Sequence, residues 1–208
     1  MRLSLLCCVL LAARPAISAS PQPQSRPQPR WQNGDVVLQT SASAQSRAIQ
    51  VATGSPFSHA GMVEVARDGV FVIEAIGRVS RTPLEAWIRR GQGGRYLALR
   101  RAELTSEQGA AVVGAARKLL GKRYDALFGW SDDRIYCTEL VAKAFRRGAG
   151  LEVGRVQRIR DLNIAPILAA ARARYGDRIP LDREVLTPAS LGADRSFTVL
   201  HSDFSPPD

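Results

Sequence analysis

Two β-rich runs, residues 60–65 and 70–76, flank Arg67-Asp68-Gly69, and this pairing constrains the chain more than any other feature. Short apolar runs around an Asp-Gly step predict an antiparallel hairpin. Side chains alternate between the two faces of a strand, so the loop length decides which residues meet. His59 stands at the mouth of the first run and Glu74 lies inside the second. Looping residues 65–68 sets His59 directly opposite Glu74, with β-carbons roughly 5 Å apart. Looping residues 66–69 leaves the two diagonal on the same face. An odd-numbered loop puts them on opposite faces.

Further elements follow along the chain. Residues 34–39 read as a short buried strand. Residues 43–53 suit a helix with Ala44, Ala48, Ile49 and Ala52 on one side, ended by Gly54-Ser55-Pro56. Thr82-Pro83-Leu84-Glu85 reads as a helix start, with Thr82 as cap and Pro83 at the first position. Residues 95–101 form another strand. Helices are expected over 105–120, stopped by Gly121, over 137–147, ended by Gly148, and over 164–175. A last strand covers 196–201, after Thr187-Pro188. Strands in a block followed by helices predict an α+β fold with an antiparallel sheet.

The N-terminus reads as an export signal. Arg2 precedes an apolar run over 3–13 that is too short to span a bilayer, and Ala16-Ile17-Ser18-Ala19 offers small residues for cleavage. The expected layout is a signal peptide over 1–19, a Pro/Gln linker over 20–33 and one domain over 34–204, which makes the protein periplasmic or secreted. Lipidation at Cys7 or Cys8 is the rival reading. Loss of Arg2 and Arg14 takes the formal charge from +10 to +8. The charge is mostly arginine and is scattered, without aromatic interleaving, so nucleic acid is not an expected partner. A basic exported protein is drawn instead to anionic envelope surfaces.

After cleavage Cys137 is the one thiol left. At the first turn of a helix, unpaired backbone N–H groups favour a thiolate and an oxyanion. The plainer alternative is a buried cysteine acting as a small hydrophobe. His59 is the natural base, and Glu74 is the candidate to orient its ring, since a carboxylate inside an apolar strand needs a partner. The alternative for Glu74 is an ion pair with an arginine such as Arg78. His201, on an edge strand, is a weaker base candidate. Asp35, Gln39, Tyr124, Asp125 and Glu139 are secondary candidates, Glu139 chiefly as a carboxylate in the first helical turn. One cysteine and two distant histidines supply no metal cluster, and no glycine-rich phosphate loop is present, so no cofactor is expected.

Several segments in order carry a family likeness: Gly34-Asp35-Val36-Val37, Ser46-Arg47-Ala48-Ile49-Gln50, Ser58-His59-Ala60-Gly61-Met62, Val72-Ile73-Glu74-Ala75, Gly121-Lys122-Arg123-Tyr124-Asp125 and Tyr136-Cys137-Thr138-Glu139-Leu140-Val141. Together they resemble the YiiX/YebB-like branch of the permuted NlpC/P60 papain-like hydrolases. A weaker echo falls at Leu186-Thr187-Pro188. The resemblance implies a small antiparallel sheet packed against helices, with the histidine strand ahead of the cysteine helix. It implies Cys137 as nucleophile, His59 as base and Glu74 as the orienting group, acting on an amide, ester or thioester carbonyl.

Three functional readings follow. The first is an exported cysteine amidase working through an acyl-enzyme, on a cell-wall peptide or a lipid-derived amide or ester. The second is a lipid acyltransferase or thioesterase on the same fold. The third is a non-catalytic module that binds envelope polymer or lipid. A long apolar groove beside Cys137 favours the second, and a polar groove that fits a peptide favours the first. Residues 150–195 carry no motif and are expected to cover the cleft.

Overall fold

A computed structural model of the chain describes residues 29–205. The expected signal peptide, most of the linker, and Cys7 and Cys8 lie outside the described residues. The elements in chain order are β1 (Val36–Ser41), α1 (Ala44–Thr53), β2 (His59–Ala66), β3 (Gly69–Ile76), β4 (Arg78–Pro83), α2 (Leu84–Arg90) and β5 (Gly91–Arg101). They continue as α3 (Ser106–Arg117), β6 (Arg123–Tyr124), β7 (Arg134–Ile135), α4 (Cys137–Ala149), β8 (Gln157–Arg158), α5 (Leu168–Tyr175), β9 (Glu184–Val185), α6 (Pro188–Gly192) and β10 (Phe197–Ser202). Two 3-10 turns, Ile159–Asp161 and Ala165–Ile167, precede α5. This is the α+β architecture expected from the order of runs.

The main sheet runs β10-β5-β1-β2-β3-β4-β6-β7, and every neighbouring pair is antiparallel except β6–β7. Its two faces are buried differently. Val36, Leu38, Met62 and Ile73 pack with Val112 of α3 and with Leu140 and Phe145 of α4. Val37, Val63 and Val72 pack with Leu84 and Trp87 of α2. Burial on both sides explains why the central strands read as apolar runs rather than as alternating ones.

The hairpin closes through Arg67-Asp68, with Ala66 opposite Gly69 and Gly61 opposite Glu74. This is the register of the diagonal alternative. Two local expectations are corrected. Thr82 does not cap α2: it belongs to β4, the helix starts at Leu84 without a side-chain cap, and the Thr82 hydroxyl donates to Glu74 instead, at 2.6 Å. Gly148 does not end the cysteine helix, which runs on to Ala149 with Gly150 in the left-handed conformation as its cap. A β-carbon at Gly148 would lie 2.4 Å from Cα of Val112. Its role is the close approach of α3 and α4.

The start of the folded region also reaches into the expected linker. Trp31 packs on Tyr96 with ring centroids 6.1 Å apart, and Gln32 N–H donates to Asp35. Among the described residues no helix is long and apolar enough to cross a membrane.

Candidate active site

His59 is the first residue of β2 and is buried. Its Nε2 donates to Oε2 of Glu74 at 2.6 Å. Strand alternation places His59 and Gly61 on one face of β2, with Glu74 across from Gly61. The carboxylate therefore reaches one pleat along the neighbouring strand, over a position that has no side chain. Glu74 is fully buried and has two further donors, Thr82 Oγ1 and the Arg90 guanidinium. The arginine that pairs with it is Arg90 at the end of α2, not Arg78. Beneath the imidazole lies Trp87, also on α2, with ring centroids 6.2 Å apart and planes 30° from parallel.

The turn before His59 is tied down by hydroxyls. Ser58 Oγ accepts from Ser46 Oγ at 2.6 Å and from Ser41 N–H at 2.9 Å, and Ser58 N–H donates to the Gln39 carbonyl. Thr40 Oγ1 donates to the Pro56 carbonyl. These bonds join the end of β1, the start of α1 and the start of β2, which fixes the imidazole at the sheet's end.

Cys137 is the first residue of α4 and is 4% exposed. Its backbone N–H has no partner within the helix, as at any helix start. Both residues that flank it are clamped to Leu186. Tyr136 Oη accepts from Leu186 N–H at 3.1 Å, and Thr138 Oγ1 donates to the Leu186 carbonyl at 2.7 Å. Glu139 takes the expected place in the first turn: its Oε2 accepts from Tyr136 N–H at 3.1 Å, and Lys143 pairs with its other oxygen at 2.7 Å. Burial still pushes the Glu139 carboxyl up to about 7, against the pull of Lys143 and the Tyr136 amide.

The electrostatics tie the two halves together. Burial alone would lower the His59 pKa, but hydrogen bonds with Cys137 and with Glu74 outweigh it and raise the imidazole from 6.5 to about 9. Burial would raise the Glu74 carboxyl, yet His59, Arg90 and Thr82 together hold it down at about 2. His59 is thus an imidazolium at neutral pH, held between a sulfur and a carboxylate.

Two cavities meet at this point. The first, of about 290 Å³, is lined by Cys137 and by apolar side chains that include Ala48, Ile49, Ile164, Ile167 and Leu186. The apolar side of α1 faces this cavity rather than the core. Ile159, Leu162, Ala171 and Ile179 also line it, so the segment without a motif supplies much of the wall. The second, of about 210 Å³, is lined by His59 with Ser41, Ser43, Ser46 and Ser58. Gln45 borders both: its Nε2 donates to Tyr124 Oη at 2.7 Å, and its Oε1 accepts from Arg174 at 3.1 Å. Burial, then the nearby Cys137, push the Tyr124 phenol up.

The remaining candidates have other partners. Asp35 pairs with Arg100 at 2.8 Å. Asp125 accepts from Leu127 N–H and Gly129 N–H and folds its own loop. His201 stacks on Tyr96 with centroids 4.4 Å apart and lies 3.1 Å from Asp203, on the edge strand β10. Gln39 lies opposite His59, fully buried, with neither atom of its amide partnered among the described residues. Sequence reasoning missed Arg90, Trp87 and the Leu186 clamp. For Arg90 no signal separates it from the many other arginines. The Leu186-Thr187-Pro188 echo was the only pointer to the clamp.

The profile of the permuted papain-like amidase family, YaeF/YiiX, C92, matches residues 30–201. YiiX of Escherichia coli strain K12 is 39% identical over 195 residues, which span 92% of this chain and 91% of that protein. A crystal structure from Escherichia coli O157:H7, described as that of metalloprotein YiiX, superposes with a TM-score of 0.81 at 38% identity, over 84% of this chain and 98% of the other. The donor set here does not fit a metal centre: among the described residues no three His, Cys, Asp or Glu side chains are placed so that they could share an ion, and Glu74 is already engaged by His59, Thr82 and Arg90. The extent of the match, the shared architecture and the histidine strand preceding the cysteine helix all agree: this chain belongs to the permuted papain-like amidase family.

Proposed function

We propose that the protein is an exported cysteine hydrolase that cleaves an amide whose acyl part is apolar. The observation that carries this reading is the apolar cavity that opens beside Cys137, next to a cavity of mixed lining, with four serines, on the His59 side. Cys137 Sγ attacks the substrate carbonyl, while its proton resides on His59. The backbone N–H of Cys137 donates to the oxyanion. Collapse of the tetrahedral intermediate breaks the C–N bond, and His59 gives its proton to the leaving amine. The amine departs through the serine-lined cavity, and the acyl group remains as a thioester in the apolar one. Water, deprotonated by His59, then attacks the thioester and returns the thiol. Glu74 keeps the imidazole oriented throughout and stabilises its charged form whenever the ring holds the proton.

The same cavity favours a second reading, in which the substrate is a lipid ester or thioester and the acyl group passes to another acceptor. It weighs against a cell-wall peptide, whose polar acyl side would bury amides in an apolar wall.

A panel of N-acyl and O-acyl nitrophenyl substrates of increasing chain length tests the reading. The expected result is a kcat/KM that rises with acyl length and falls on the order of a thousandfold in Cys137→Ala. A mass increase on Cys137 equal to the acyl group should be trapped with the slowest substrate. A flat response to chain length would remove the apolar acyl group from the reading. Iodoacetamide alkylation that is slow at neutral pH and equal in His59→Ala would move the binding module to first place.

A further inference from the structure

Residues 164–171, Ile-Ala-Pro-Ile-Leu-Ala-Ala-Ala, are eight consecutive apolar residues that flank the cavity beside Cys137. Ile164, Ile167 and Ala171 line the cavity. Ala165, Pro166, Leu168 and Ala169 face outward and are exposed. The segment is thus apolar on its outer side as well as on the side toward the cavity. Its surroundings add to the apolar surface. Leu181 and Leu127 are also exposed, and the Leu127 carbonyl accepts from Tyr175 at the end of α5 and from Arg183.

The charge around it is net positive. Residues 155–183 hold seven arginines and three aspartates. Arg172 and Arg178, on either side of the end of α5, are exposed and have no acidic partner among the described residues, whereas Arg158 and Arg160 share Asp182. A short apolar segment edged by arginines suits an anionic lipid layer: the apolar side chains enter the acyl boundary and the guanidiniums meet the headgroup phosphates.

We propose that residues 164–171, with Arg172 and Arg178, form a docking surface for an anionic lipid layer. The segment then stands between the layer and the cavity beside Cys137. Docking does not require a reactive thiol, so this proposal and the catalytic reading can fail separately.

The test is co-sedimentation of the protein, expressed from its full reading frame, with vesicles of phosphatidylglycerol and phosphatidylcholine and with pure phosphatidylcholine vesicles. Leu168→Asp is compared with Leu120→Asp, the same change at an exposed leucine just after α3. The natural chain should partition onto the anionic vesicles and far less onto the neutral ones. Leu168→Asp should lower that partition about tenfold, Leu120→Asp by less than about threefold, and Arg172→Gln with Arg178→Gln should flatten its salt dependence. Any N-terminal contribution is common to all variants, and matched thermal melts exclude unfolding. The proposal is overturned if Leu168→Asp and Leu120→Asp bind alike, or if vesicles are ignored while soluble polyphosphate is bound. It is equally overturned if Leu168→Asp only dissociates a dimer in sedimentation velocity.

Discussion

Gly61 faces Glu74 across the β2–β3 hairpin, and the missing side chain leaves the carboxylate room to reach His59 one pleat away. A β-carbon at Gly61 would lie 2.3 Å from Val72 Cγ1 and 3.5 Å from Glu74 Cβ. Val72 is fully buried and β-branched, so it has little freedom to yield. Gly61→Ala is therefore expected to cost about 1–3 kcal/mol through overpacking. It should also slow alkylation of Cys137 at neutral pH. Denaturant unfolding gives the first quantity; unchanged stability together with unchanged alkylation would contradict the role assigned to this gap.

Glu74 divides its charge between an imidazole and a guanidinium. Removing the guanidinium in Arg90→Gln takes away a positive neighbour, so the His59 titration should move upward from about 9. Glu74→Gln should move it downward. The chain has only two histidines, so proton NMR of the imidazole signals resolves both, with His201→Gln as the assignment control. A downward move in Arg90→Gln would mean that Arg90 acts on packing rather than on charge.

Stability should depend on pH at both ends of the His59–Glu74 pair. Glu74 is held below its ordinary value, so its contribution is present above 4.5 and is lost as the pH falls toward 2. His59 is held above its ordinary value, so its contribution is full below 6.5 and is lost as the pH rises through about 9. The difference in Tm between the natural chain and His59→Asn should be greatest near pH 5–6 and should shrink by several degrees above pH 9. A difference that stays level across that range would separate the pair from stability.

Thr138→Val keeps the shape of the side chain but removes the donor to the Leu186 carbonyl. The bond is buried, so the unpaired carbonyl should cost about 1–3 kcal/mol. Hydrogen exchange should quicken at Leu186, whose N–H bonds Tyr136, before it quickens in β2 and β3. Uniform acceleration across the chain would mean that the clamp has no local role.

Much of this architecture was legible in the sequence because it rests on short-range periodicity. The hairpin follows from alternation around Asp68-Gly69, and the cysteine helix from its apolar run after Tyr136. What sequence reasoning misread are places where a group has two suitable uses. Thr82 resembles a helix cap, but a buried carboxylate is the stronger acceptor and takes its hydroxyl. Gly148 resembles a stop signal, but it is the contact point of two helices. Ala44, Ala48, Ile49 and Ala52 share one side of α1 as their spacing says, but spacing alone does not tell that this side lines a cavity. Arg90 and the cavity wall belong to tertiary structure alone: no local pattern says which arginine will reach Glu74, or that Ile159, Leu162, Ala171 and Ile179 will line the cavity beside the thiol.

The Leu186 clamp bears on when the thiol becomes competent. Tyr136 and Thr138 hold Cys137 only through a residue about fifty positions downstream. During synthesis the cysteine emerges first and remains an ordinary side chain on an unsecured helix. The parts of the site converge once nearly the whole polypeptide is available, so an incomplete chain carries the sulfur without its setting. On the proposed reading, the surroundings of the thiol are complete only once the chain has grown past Leu186.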